Sequence, residues 1–248
     1  MKYPKISIIT AVWNDAEHIE KTIQSVLSQT YPNVEYIIID GGSKDGTVGV
    51  IKKYADKISY WVSEPDKGVY DAMNKGIAAS TGDYVNFMNS GDKFHDENVL
   101  SDMKFEEVDG THICLYGDVN EIQWDGIYRI KPKPFFNTSL KFMGIGICHQ
   151  TMFFPGVEIR KMKYDLQYRI VSDYDLAYRM YKDGVKFVYR EVLVADYPWG
   201  GGISSDPFGF IKVYKENVRV CKQQWHPLYW VKLGLEFYRK KKKERNRK

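Results

Sequence analysis

Polar side chains gather at four points along the chain, each just after an apolar run: Trp13-Asn14-Asp15, Asp40-Gly41-Gly42-Ser43, Glu64-Pro65-Asp66-Lys67-Gly68 and Asn89-Ser90-Gly91-Asp92. Asp40, between YIIID and GGSKDGT, offers an acceptor for hydrogen bonds from a base or a ribose, and its glycines let a ligand approach the backbone. Turn and cap chemistry, with Asp45 ahead of a helix, reads the same segment equally well. At Asn89-Ser90-Gly91-Asp92 a buried run gives way to small polar residues. A divalent ion on a diphosphate takes one or two carboxylates plus phosphate oxygens and waters, and Asp92 can supply one. A tight turn, with Gly91 providing the backbone angles, uses the same residues. Neither GxxxxGK[ST] nor GxGxxG occurs in the sequence.

A carboxylate pair stands apart from these loops. In IVSDYDLAYRM, Asp173 and Asp175 open a stretch with helical spacing. A carboxylate poised there can take a proton from an attacking hydroxyl, or it can simply complement the dipole at a helix start. His149 and Gln150, ahead of TMFF, are open to both a ligand-facing and a structural reading.

The elements that position these residues follow from periodicity. KISIITAV reads as a buried strand, and DAEHIEKTIQSVLSQ as a helix with Ile19, Ile23, Val26 and Leu27 inward and Asn14 or Asp15 as its cap. VEYIIIDGGS, ISYWVSEPD and DYVNFMNS read as further strands, with helices over TVGVIKKYAD and VYDAMNKGIAAS between them. Such alternation predicts a mostly parallel sheet covered on both faces, whose ligands bind at the carboxyl ends of its strands. All four polar clusters fall at those ends. Beyond Leu100 the pattern turns antiparallel in THICLYGDVN, GIYRIKP and TMFFPG, followed by a helix with Leu176, Ala177 and Met180 inward and Gly184 as its stop, and a strand in VKFVYREVLVADY. Three successive glycines in the Tyr197–Ser205 stretch suit a loop that closes over a ligand, or a plain surface loop.

Charge is unevenly placed. Residues 239–248 hold eight basic side chains and one acid, and their +7 leaves −3 for the rest of a chain of net charge +4. This block reads as a solvated end, as a contact with nucleic acid, or as a contact with an anionic membrane. The last draws support from Tyr229, Trp230, Leu233 and Phe237, which fall on one helical face just before it; no nucleic-acid-binding module is recognisable. Cys114, Cys148 and Cys221 are widely spaced and odd in number, which suits a reducing compartment. Neither a cleavable leader nor a membrane-spanning run is expected.

Taken together, SIITAVWNDAEHIEKTIQSVLSQTYPNVEYIIIDGGSKDGT and EPDKGVYDAMNKGIAASTGDYVNFMNSGD resemble family-two glycosyltransferases of the GT-A fold, inverting enzymes that use nucleotide sugars. The resemblance implies an α/β fold with a Rossmann-like central sheet flanked by helices, a smaller antiparallel acceptor side and a C-terminal helical, basic tail. It implies a donor-binding half over 1–100, an acceptor half over 101–205 and a membrane-associating appendage over 206–248. Thr10, Val12 and Asn14 would line the nucleotide pocket, Asp40 would contact uracil or ribose, and Ser43 and Asp45 would shape that loop. Asp66, Lys67, Gly68, Asp71, Asn74 and Lys75 would surround the diphosphate and donor sugar. Asn89, Ser90, Gly91 and Asp92 stand where the family carries its DXD motif, with Asp92 as the ligand to Mn2+ or Mg2+. Asp173 would be the catalytic base, and His149 and Gln150 would face the acceptor.

The expected activity is transfer of glucose or galactose, by a β-1,3 linkage, from a UDP-sugar to a lipid-linked saccharide. The resemblance extends to O-antigen transferases acting on GlcNAc-diphosphate-undecaprenol at the cytoplasmic face of the bacterial inner membrane. GDP-fucose or another nucleotide sugar as donor, and a nucleotide-binding protein without catalysis, are the competing expectations.

Overall fold

The computed structural model describes residues 3–108, 112–134, 144, 146–198, 209–222, 230, 231 and 234. The expected glycine loop from Trp199 onward, the residues Tyr229, Leu233 and Phe237, and the basic block 239–248 lie outside them.

Nine strands and seven helices are described. The first half alternates β1 (Ile6–Val12), α1 (Ile19–Leu27), β2 (Val34–Asp40), α2 (Thr47–Lys52), β3 (Tyr60–Ser63), α3 (Val69–Ala79) and β4 (Tyr84–Phe87). The second holds β5 (Lys93–Phe94), α4 (Val99–Asp102), β6 (Ile113–Gln123), β7 (Gly126–Ile130), β8 (Met152–Pro155), α5 (Gly156–Met162), α6 (Ser172–Lys182), β9 (Lys186–Pro198) and α7 (Gly209–Val220). They form one sheet in the order β3-β2-β1-β4-β8-β6-β9-β5, with β7 hydrogen-bonded to β6. β3, β2, β1 and β4 run parallel. β8 is antiparallel to both β4 and β6.

Uniformly apolar strands arise because both faces are covered. Successive side chains point to opposite faces, so Ile8 and Ile38 pack with Ile23 and Ile51 on one side. Ile9, Ile37 and Ile39 pack with Met73, Phe87 and Leu176 on the other. α3 lies so close to β1 that a side chain at Gly76 would collide with Ile9 Cγ2.

Two expectations are corrected. The first helix starts at Ile19 with His18 at its N-cap, rather than at Asn14 or Asp15. Asn14 has a left-handed backbone (φ 48°), and the Asp15 carboxylate is held by His18 Nδ1 and Ser90 Oγ, both at 2.6 Å, so neither can cap. β9, expected among antiparallel strands, runs parallel to β6 and antiparallel only to the two-residue β5. The chain returns to the start of β6 along the antiparallel β8, and α5 and α6 complete the crossover before β9 begins beside Ile113.

Candidate active site

The carboxyl ends of β1 and β2 are tied into a single rim. Asp40 is fully buried. Its Oδ2 accepts hydrogen bonds from the backbone N–H of Gly42 (3.1 Å) and Ser43 (2.9 Å) and from Ser63 Oγ (2.5 Å), while Oδ1 accepts from Ser43 Oγ. As folded, Asp40 therefore shapes the Gly41–Ser43 loop instead of pointing at a base or ribose. Asn14 clasps the same loop: its N–H donates to Ser43 Oγ (2.6 Å) and its Oδ1 accepts from Lys44 N–H (2.8 Å). Asp45 accepts from the Thr47 hydroxyl (2.6 Å) and Ala16 N–H (3.0 Å), and these bonds hold its carboxyl below the usual range. Thr10 and Val12, expected to line a pocket, have their side chains in the core, where Thr10 Oγ1 donates to Met88 O (2.7 Å). The side chain that this edge does expose is Trp13, 67% accessible beside Gly41. A side chain at Gly41 would meet both Trp13 and Asp66 Oδ2.

The segment before α3 forms the next wall. Asp66 Oδ1 accepts from Gly68 N–H (2.7 Å), and Asp71 Oδ2 accepts from Lys67 N–H (2.9 Å). Lys75 Nζ reaches Glu64 Oε1 (2.7 Å) and donates to Pro65 O (2.9 Å), and the Glu64 partner raises its pKa. Asn74, expected near the donor, is instead a strut. Its Nδ2 donates to Tyr164 O (2.9 Å) and its Oδ1 accepts from Tyr164 N–H (2.8 Å), so its amide is consumed in joining α3 to the chain after α5.

At the end of β4 the separate motifs meet. Gly91 takes φ +94°, so the turn reading of Asn89–Asp92 holds structurally, and Ser90 Oγ donates to Asp15 Oδ2. Asp92 is 9% exposed and accepts from Gln150 Nε2 (3.1 Å). Burial pushes its carboxyl up to about 6, against the lowering effects of His149 and Gln150. Asn89 Oδ1 accepts from Ala11 N–H (3.2 Å), which fixes the amide and turns Nδ2 toward His149 Nε2 (3.2 Å). Nε2 of a neutral imidazole must then be the acceptor, and the ring proton sits on Nδ1. That nitrogen lies 3.8 Å from Asp173 Oδ2. Asp173 Oδ1 accepts from Tyr174 N–H (2.8 Å), with Tyr70 Oη at 3.5 Å. Asp175 differs: it is buried and bonded to Arg179 Nε at 2.7 Å, a packing role.

Among the described residues no group of three His, Cys, Asp or Glu side chains could hold a metal. One carboxylate at Asp92 and one amide at Asn89 suit an ion that brings diphosphate oxygens with it. Tyr70 and Ser63 carry no signal in the sequence that marks them for the site, whereas Trp13 and Asp15 belong to a polar cluster at a strand end whose individual roles the sequence leaves open.

The family model described as Glycosyl transferase family 2 matches residues 7–159, more than half of the chain. The chain belongs to glycosyl transferase family 2. An uncharacterized glycosyltransferase of Mycobacterium tuberculosis is 35% identical to this family 2 glycosyltransferase over 188 residues, covering 71% of this chain and 68% of that protein. A glycosyltransferase of PGL/p-HBAD biosynthesis from Mycobacterium bovis is 29% identical over 217 residues, 83% of this chain and 81% of that one. The fold matches that of S. aureus TarS 1-349 in complex with UDP-GlcNAc (TM-score 0.69, 16% identity, 94% of this chain and 71% of that one). It also matches the mannosyltransferase PcManGT from Pyrobaculum calidifontis in complex with GDP-Man and Mn2+ (TM-score 0.65, 16% identity, 88% and 65%). The expected GT-A architecture is therefore present in this family 2 glycosyltransferase. Its Asp173 lies outside the matched residues, so only geometry links that carboxylate to the donor-side motifs. No helix among the described residues is long and apolar enough to cross a membrane.

Proposed function

We propose that this chain is an inverting hexosyltransferase that moves glucose or galactose from a UDP-sugar to a GlcNAc-diphosphate-undecaprenol type of acceptor, forming a β-1,3 linkage. The observation that carries this reading is the His149-Gln150 turn: Gln150 bonds Asp92 while His149 stands between Asn89 and Asp173. An acid suited to the leaving diphosphate and an acid suited to the acceptor hydroxyl thus share one hinge.

In this mechanism Asp173 Oδ2 takes the proton of the acceptor hydroxyl as its oxygen attacks the anomeric carbon. The bond from that carbon to the diphosphate breaks on the opposite face, which inverts the configuration. His149 Nδ1–H faces the same carboxylate and orients it. Asp92 would hold Mn2+ or Mg2+, which when bound offsets the charge developing on the leaving diphosphate. Trp13, exposed at the end of β1, would offer a face for the base. Residues 1–100 would hold the donor, 101–205 the acceptor, and 206–248 would associate with the inner face of the cytoplasmic membrane. O-antigen assembly or a related surface-polysaccharide route is the setting this acceptor implies.

The test is transfer from a panel of nucleotide sugars to a GlcNAc-diphosphate-lipid analogue with Mn2+ present, read by mass spectrometry, alongside Asp92→Ala and Asp173→Asn. Product from one UDP-hexose, lost in both variants, supports the reading. UDP binding without transfer to any lipid-linked sugar would leave a binding protein. A guanosine donor is the second reading, favoured by the GDP-Man-bound structural neighbour; competition between UDP and GDP separates the two.

A further inference from the structure

The peptide that leads into α6 is gripped on both of its polar edges. From α7, the Glu216 carboxylate accepts three backbone hydrogen bonds in succession: Arg169 N–H to Oε1 (3.2 Å), and Ile170 N–H (3.0 Å) and Val171 N–H (3.2 Å) to Oε2. From α3, Tyr70 Oη donates to Ile170 O at 2.7 Å. Ile170 is thereby held through its N–H by one helix and through its carbonyl by another, three residues before Asp173. A second contact from α7 reaches the same stretch, with Arg219 stacked over the Tyr168 ring at 5.5 Å. These three donors belong to the residues that lead up to α6, which starts at Ser172 with Val171 at its N-cap, so the carboxylate anchors the approach to the helix.

We propose that Glu216 is a positioning residue for Asp173, so that α7 sets the reach of the catalytic carboxylate toward the acceptor. This rests on the reading of Asp173 as the base. Glu216 touches neither donor nor acceptor in this role. Without it the N–H groups of 169–171 lose their common acceptor, the peptide keeps the Tyr70 bond to Ile170 O and the Asp175 N–H bond to Val171 O, and Asp173 shifts relative to His149. A displacement of about 1 Å in a reacting group costs on the order of a hundredfold in rate when chemistry is limiting, and a partial loss of restraint costs roughly tenfold.

The experiment uses the full chain with Glu216→Ala, Glu216→Gln and, in parallel, Asp173→Asn. Turnover and acceptor KM are measured together with calorimetric UDP binding and melting temperature. The expected order of kcat is wild type, then Gln, then Ala, with Ala down roughly tenfold or more and UDP affinity within about twofold. Gln ranks between them because its single amide oxygen still accepts from Ile170 and Val171. A kcat within twofold of wild type in the Gln and Ala variants overturns the inference, and so does a kcat loss matched by equal weakening of UDP binding. Should Ala not fold, Gln alone decides by the same criteria. Asp173→Asn separates the two readings: full transfer in that variant removes the base itself, whereas its loss alongside normal Glu216 variants removes only the positioning role.

Discussion

At the scale of single residues, the site is built from carboxylates in unequal surroundings. Asp92 is buried and its carboxyl titrates near 6, above the value of 3.8 it has when solvated. Its native form holds the proton more tightly than the unfolded form, so stability falls as pH rises through the window from 3.8 to about 6. Asp92→Asn is therefore expected to raise the melting temperature at pH 8, equivalent to about 3 kcal/mol, while leaving it little changed at pH 3.5. Calorimetry at both pH values checks the difference, and activity should be lost throughout. Asp173→Asn, in contrast, should lower kcat by roughly a hundredfold or more with UDP affinity retained; an unchanged kcat would remove Asp173 from the reaction. His149→Ala leaves Asp173 without its nearest Nδ1–H and is expected to cost less, about tenfold in kcat. Much of this could be read from residue types in order: Asn89, Asp92, Gln150 and Asp173 do converge. The use of Asp40's acceptors by Gly42, Ser43 and Ser63 and the diversion of Asn74 to Tyr164 could not. A sequence marks a polar residue at a strand end without saying whether a neighbouring backbone consumes it.

At the scale of elements, the donor-side half was legible because its period is unambiguous. Ile8 and Ile9 each find an apolar layer, so the strand is apolar on both faces. The start of α1 was not legible. Asn14 and Asp15 are good capping types, and only their long-range bonds to Ser43, Lys44 and Ser90 show them in other use. The parallel pairing of β9 with β6 was hidden for a similar reason, since its direction depends on β8 having already brought the chain back to the start of β6. The close approach of α3 to β1 gives a direct test. Gly76→Ala should push the helix off Ile9 and destabilise the protein by about 1–3 kcal/mol, seen as a lower melting temperature. Gly49→Ala, whose added methyl meets nothing within 4 Å, should not.

At the scale of the whole molecule, the proposed membrane association would reside in the basic block 239–248, remote in sequence from the catalytic residues. Deleting it is expected to abolish co-sedimentation with anionic vesicles while transfer to a short, soluble acceptor keeps its rate; the basic residues together supply several kcal/mol near such a surface. Loss of soluble transfer as well would place part of the catalytic fold in the tail. The sheet adds a further consequence. β8 is hydrogen-bonded to β4 on one flank and to β6 on the other, and Asn86 of β4 donates to the Gln150 and Met152 carbonyls across that seam. Chimeras that recombine acceptor specificity between relatives should therefore not be cut only at residue 100. The strand that closes the donor sheet arrives more than fifty residues later, so a graft of 101–205 imports its own edge for β4 and must match Asn86 to register.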